Sequence, residues 1–157
     1  MKAPMQSTAI FSQCKKYRYV LTRTWNEDLP KVLFVALNPS TADAVIDDPT
    51  VRRCVSFARD WGFGGILIAN LFALRSPDPK KLTLSEDPIG PRNDWWLNRL
   101  STNCRLTIAA WGIHGKISDR ADAVLPKLTN VHHLGLTRDG HPRHPLYLPK
   151  TTRPARF

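Results

Sequence analysis

The stretch that decides the fold is VLFVALNPSTAD, residues 32–43. Its first six residues are apolar without alternation, the pattern of a strand buried on both faces, as parallel sheets require. The run stops at Asn38-Pro39-Ser40-Thr41. Pro39 has no backbone N–H to give a sheet, and it biases Asn38 toward extended backbone, so the strand ends there. Asn38 then has two readings. It closes an Asx turn before the proline, or the strand end delivers its amide to a pocket.

Upstream, YRYVLTRT (17–24) alternates and is rich in β-formers, which predicts an edge strand or hairpin arm. Downstream, DDPTVRRCVSFARDWG (47–62) predicts a helix. Asp47 or Asp48 can cap it, Pro49 suits its first turn and Gly62 can end it. Val51, Cys54, Val55 and Ala58 fall on one apolar face. GGILIANLFAL (64–74) reads as a second buried strand broken by Asn70, and SPDPKKLTLSEDPIGP (76–91) as a proline-rich loop with little regular structure. RNDWWLNRL (92–100) predicts a helix with Trp96, Leu97 and Leu100 inward. RLTIAAWG (105–112) is a third strand, SDRADAVLPKL (118–128) a helix shortened by Pro126, and VHHLGL (131–136) a fourth strand leading into TRDGHPRHPLYLP. Strands alternating with helices predict an α/β three-layer sandwich with a mainly parallel central sheet. A single domain is expected over 1–157, with its core at about 17–149 and a basic tail at 150–157. In such sheets the ligand crevice lies beyond the carboxyl ends of the strands.

The charge balance of +10 favours polyanion partners. The excess is strong near the C-terminus, where Arg138, Arg143, Lys150, Arg153 and Arg156 face only Asp139. DNA, single- or double-stranded, is the expected partner, with a nucleotide as the alternative. No apolar run reaches bilayer length, the N-terminal stretch with its early Lys2 has no sustained apolar segment, and no basic amphipathic helix stands out, so neither a membrane partner nor secretion is expected. Cys14, Cys54 and Cys104 are scattered and odd in number, which argues against a disulfide framework or a paired-cysteine metal site. His132, His133, His141 and His144 match no standard zinc spacing. The expectation is a cytoplasmic monomer without metal or cofactor.

Three strands lead into polar residues: the first into Asn38, the second into Asn70, the fourth into His144-Pro145. An asparagine carries both a donor pair and an acceptor, enough to pair with a nucleobase edge. A histidine can donate to an oxygen that gains negative charge. Each also has a structural reading: a turn for Asn38, a satisfied strand-edge group for Asn70, a loop histidine for His144.

The order of these elements resembles the uracil-DNA glycosylase superfamily over roughly residues 31–149. ALNPSTAD resembles its first motif, whose Asn holds the attacking water. ILIANLFALRSPDP resembles the strand whose Asn reads the flipped base. LTIAAWGIHG resembles a strand ending in Gly before a helix. RHPLYLP resembles the final His-Pro motif, whose His stabilises the leaving base while the loop wedges the duplex. Ala36-Leu37 stand where that first motif has its leading Gly, and no aromatic residue follows it closely. LNPSTAD, DPTVRRC, PIGPRND and HPLYL together resemble the bacterial and phage family DUF1643. The glycosylase resemblance implies a uracil-DNA-glycosylase-like fold and hydrolysis of the N-glycosidic bond of a damaged or modified base in DNA. Asn38 and His144 would be catalytic, with Asp43, or else Asp47 or Asp48, strengthening the water. Asn70, Pro39, Ser40 and Pro145 would line the substrate, and Arg52, Arg53, Arg75, Arg138 and Arg143 would contact phosphates. A non-catalytic reader of nucleic acid or of a modified base, and a hydrolase of a free nucleotide or nucleoside, stay open beside it.

Overall fold

The computed structural model describes residues 4–157; Lys2 lies outside them. In chain order the strands are β1 Gln6–Phe11, β2 Arg18–Thr24, β3 Lys31–Ala36, β4 Gly65–Asn70, β5 Leu106–Ala109, β6 Val131–His133 and β7 Ala155–Arg156. The helices are α1 Pro49–Asp60, α2 Lys81–Leu84, α3 Asn93–Asn103 and α4 Arg120–Val124. Among the described residues the strands form one seven-stranded sheet in the order β1-β2-β4-β3-β5-β6-β7.

The sheet is mixed, which corrects the expectation of a mainly parallel one. β3 runs parallel to both β4 and β5, and β5 parallel to β6. The pairs β1–β2, β2–β4 and β6–β7 are antiparallel. The reason lies in the connections. β1 and β2 are joined by a short turn with no helix between them, and such a hairpin can only be antiparallel. β2 is therefore a hairpin arm with partners on both sides, and β1 takes the edge. The sheet also reaches past 17–149 at both ends, through β1 and β7.

The apolar run of β3 is continuous because both of its faces are covered. Leu33 and Val35 pack with Leu97 and Leu100 of α3 and Val124 of α4. Val32 and Phe34 pack on the other side with Val51, Cys54, Phe57 and Ala58 of α1. Three layers result. α1 starts as its sequence predicts: the Asp48 side chain accepts from the Val51 N–H, Pro49 opens the first turn, and Gly62 follows the helix with φ +87°. The proline-rich stretch 76–91 is less irregular than expected, since it holds the four-residue α2 with Leu82 buried. α4 ends before Pro126, and the chain continues as a short 3-10 turn, Leu125–Lys127.

One buried charge ties the loop after β3 to the sheet. Arg23 of β2 is 1% exposed. Its Nε donates to Asp47 Oδ1 at 2.8 Å and its Nη2 to the Asp43 carbonyl at 2.6 Å. Segment 43–47 is thereby pinned where α1 begins. Among the described residues no helix is long and apolar enough to cross a membrane.

Leu33 is completely buried, so Leu33→Ala is expected to lower stability by about 2–5 kcal/mol in urea unfolding. Val45, 88% exposed on the loop, is the control: Val45→Ala is expected to change stability by no more than about 0.5 kcal/mol.

Candidate functional site

The parallel strands make a switch point. From β3 the chain crosses to β4 on one side, and from β4 it crosses back to β5 on the other. Loops leaving the carboxyl ends of β3 and β5 diverge, and a crevice opens between them. A cleft of about 370 Å³ lies there, lined among others by Arg18, Asn38, Asp48, Asn70, Trp111 and His144. That is within the range of small-molecule sites, about 300–1,000 Å³.

Register brings the two asparagines together. Ala36 at the end of β3 is paired with Asn70 at the end of β4, and the Leu71 N–H donates to the Ala36 carbonyl at 2.9 Å. Asn38 Nδ2 donates to the carbonyls of Pro39, Leu74 and Ser76 at 3.2, 3.3 and 2.8 Å. Three acceptors around one nitrogen fix the amide's orientation and commit its donors. The carbonyl oxygen Oδ1 makes no hydrogen bond among the described residues, so Asn38 brings an acceptor to the cleft. Asn70 brings the complement. It is 1% exposed and its Nδ2 is buried without a partner. Its backbone is held separately, since Asn93 Nδ2 at the start of α3 donates to the carbonyls of Asn70 and Leu71 at 2.9 and 3.1 Å. A buried donor left unpaired costs about 1–3 kcal/mol, which a ligand acceptor would relieve.

His144 arrives from the far side. After β6 the chain makes a tight turn closed by the Leu136–Pro142 bridge, and the Gly112 N–H beyond β5 donates to the Pro142 carbonyl at 3.0 Å. The Leu146 N–H donates to His144 Nδ1 at 3.2 Å. Nδ1 is therefore the acceptor, and the neutral ring carries its proton on Nε2. Burial holds the His144 pKa below its ordinary 6.5, with the Asp48 charge opposing. The ring is a neutral N–H donor at physiological pH.

The carboxylate of the cleft is Asp48. Its Oδ1 caps α1 at 2.8 Å from the Val51 N–H, and its Oδ2 accepts from Ser40 Oγ at 3.4 Å. Asp43 does not line the cleft. Its carboxylate turns back on its own loop, accepting from the Val45 and Ile46 N–H groups at 2.8 and 2.7 Å. These two bonds hold its pKa below the usual carboxylate value. Asp47 is the partner of Arg23. Ser40 lines the cleft, whereas Pro39 and Pro145 are buried behind it.

The predicted phosphate-contacting arginines are not gathered in the cleft. Arg53 donates to the Leu148 carbonyl and lies over the Phe57 ring. Arg75 donates to the Lys15 carbonyl and lies over Phe11. Arg52, Arg138 and Arg143 are exposed.

Arg18, Trp111 and His114 line the cleft without having been singled out from the sequence. Trp111 is 3% exposed. A Cβ at Gly115 would sit 2.2 Å from its Cδ1, so glycine is what lets the chain cross the indole. Nothing in the sequence signalled Arg18, because only the structure shows that β2 has pairing partners on both sides. Among the described residues no group of three His, Cys, Asp or Glu side chains could hold a metal ion.

A family profile described as "Protein of unknown function (DUF1643)" matches residues 18–146. No curated protein and no solved structure matches the chain.

A histidine whose folded pKa lies below its unfolded value of 6.5 binds protons more readily when unfolded. Its contribution to stability is intact above pH 6.5 and is lost as pH falls from there toward the folded pKa. Urea unfolding between about pH 7 and pH 5 is expected to show a smaller loss of stability in His144→Gln than in the natural protein.

Proposed function

We propose that this chain, which belongs to the DUF1643 family, hydrolyses the N-glycosidic bond of a damaged or modified base in DNA. One observation carries the reading: Asn38 just past β3, Asn70 at the end of β4 and His144 on the loop after β6 line one cleft at the switch point of the sheet. Kinship with the uracil-DNA glycosylase superfamily is part of the proposal. It is supported by the sequence motifs and by the role that each of these side chains is left free to play.

Glycosidic cleavage passes through a transition state with oxocarbenium character. Such a centre accepts a weakly activated water, which must be oriented on the face opposite the departing base. Asn38 Oδ1 is a fixed acceptor for one water proton. Asp48, rather than Asp43, is the carboxylate near enough to take the other. The water oxygen bonds to C1′ as the C1′–N bond breaks, and the base leaves with the bonding electron pair. His144 Nε2–H donates to the oxygen on which that charge accumulates. The proton released by the water ends on the free base by way of Asp48 or solvent. Asn70 Nδ2 would pair with an acceptor on the flipped base. The exposed Arg52, Arg138 and Arg143 are the candidates for phosphate contacts.

Base release from oligonucleotides carrying uracil, hypoxanthine, xanthine, alkylated and hypermodified bases tests the reading, with abasic sites revealed by alkaline cleavage. His144→Ala is expected to lower the rate roughly 10²–10³-fold, the value of one well-placed donor to a developing anion, with DNA binding retained. Asn38→Ala is expected to lower it by a similar factor. Salt-sensitive DNA binding without release of any base would replace the enzyme by a reader of modified DNA.

A further inference from the structure

We propose that Arg18 forms an anion subsite at the floor of the cleft, so that the group recognised there carries a carboxylate or a phosphate. The inference rests on the reading that the cleft takes a nucleobase or nucleotide, and it specifies that ligand's chemistry.

Arg18 is 3% exposed and yet lines the cleft. Its N–H donates to the Ala73 carbonyl at 3.0 Å, which places it beside the chain just beyond Asn70. Its guanidinium makes a single hydrogen bond among the described residues, from Nη1 to the Ala42 carbonyl at 2.9 Å. Nε is buried without a partner. Arg18 also has no carboxylate in ion-pair contact among the described residues, in contrast to the two other buried arginines, Arg23 paired with Asp47 and Arg120 paired with Asp94. Burial pushes its pKa down to about 10, partly offset by Asp48, so it stays charged at neutral pH. A buried cation without a counterion is costly, and an incoming anion removes that cost. Asn70, whose Nδ2 is another orphaned donor, lines the same cleft. Two buried donors that lack acceptors suit a group with two oxygens. Asp48 repels the same group, so the anionic end is driven toward Arg18 and the glycosidic end toward Asp48 and Asn38.

Two sources can supply the oxyanion: an acidic substituent on the base, or the 5′-phosphate of a free nucleotide. The first probe is inorganic phosphate, titrated at constant ionic strength against thermal unfolding. A saturable rise in Tm is expected in the natural protein. The rise should be absent in Arg18→Met and present, but weaker, in Arg18→Lys. The lysine variant keeps the test decisive if the methionine variant does not fold. Calorimetric binding of two acid and neutral pairs, 5-carboxyuracil with uracil and dUMP with deoxyuridine, then identifies the source. The acid of one pair is expected to bind roughly tenfold or more tightly than its neutral partner, and the preference should vanish in Arg18→Met. No saturable phosphate effect, or an effect equal in all three proteins, overturns the subsite. A phosphate effect at Arg18 with no base release from any oligonucleotide rejects the glycosylase reading and leaves the subsite standing. Base release without a phosphate effect does the opposite.

Discussion

The structure depends on the alignment of three parallel strands. β4, β3 and β5 are held in register by pairs such as Ala36 with Asn70 and Val35 with Ala109. Because the strands point the same way, their carboxyl ends finish at one level. Because β3 lies between partners reached by crossovers to opposite sides, nothing in the sheet fills the space above its end. Burial on both faces makes the alignment rigid, since a slip of one residue would exchange the Leu33–Val35 face for the Val32–Phe34 face against different helices. The cleft is the place where the packing constraint stops, and the polar side chains collected there include those from the ends of β3 and β4, the starts of β2 and α1, and the loop after β6.

Three buried guanidiniums show how the protein handles charge. Arg23 holds the loop after β3 through Asp47 and two backbone carbonyls of that loop. Arg120 donates from Nε to the Leu71 carbonyl at 2.8 Å and pairs with Asp94, so it joins the start of α4 to the end of β4. Both are structural, and both meet a carboxylate. Arg18 is equally buried and meets none. Departures from a complete pairing pattern are expected where a protein sacrifices stability for recognition. Arg18, with its unpaired Nε, and Asn70, with its unpaired Nδ2, line the same cleft.

Much of the framework was legible in the amino-acid pattern. β3 and β4 were plain because strands covered on both faces need uninterrupted apolar runs, and α1 was plain because Asp48-Pro49 and Gly62 bracket an apolar stripe. β1 was not, because its QSTAIF sequence runs along the sheet edge with most residues exposed and no apolar alternation to mark it. β7 is two residues long and exists only through its register with β6. Asn38 and Asn70 were legible because a polar residue at the end of a buried strand is anomalous, whereas His144, eleven residues past the half-buried β6, was legible through its His-Pro step. The choice among Asp43, Asp47 and Asp48 was not. Three nearby carboxylates differ only in what they turn toward: two backbone N–H groups, an arginine, or the helix start beside the cleft. Arg18 was hidden for a related reason. In an alternating strand an arginine reads as the outward residue, and only the loop at Ala42 and the neighbouring strands make it an inward one.

The family profile ends at residue 146, but the mechanical support of His144 does not. Beyond it, the Leu148 carbonyl is gripped by Arg53, and the Thr152 carbonyl accepts from Trp61 Nε1 at 3.1 Å. Farther on, the Phe157 N–H donates to the Val131 carbonyl at 3.1 Å, with the Phe157 ring set edge-on to His133. The histidine is thus moored fore and aft, to the turn after β5 on one side and to α1 and β6 on the other. Without those last eleven residues, it would stand near a loose end, held through the hydrogen bonds at Pro142 and Arg143. A boundary drawn by similarity and a boundary drawn by tension in the chain are different lines: the imidazole lies inside the first, and part of what anchors it lies beyond.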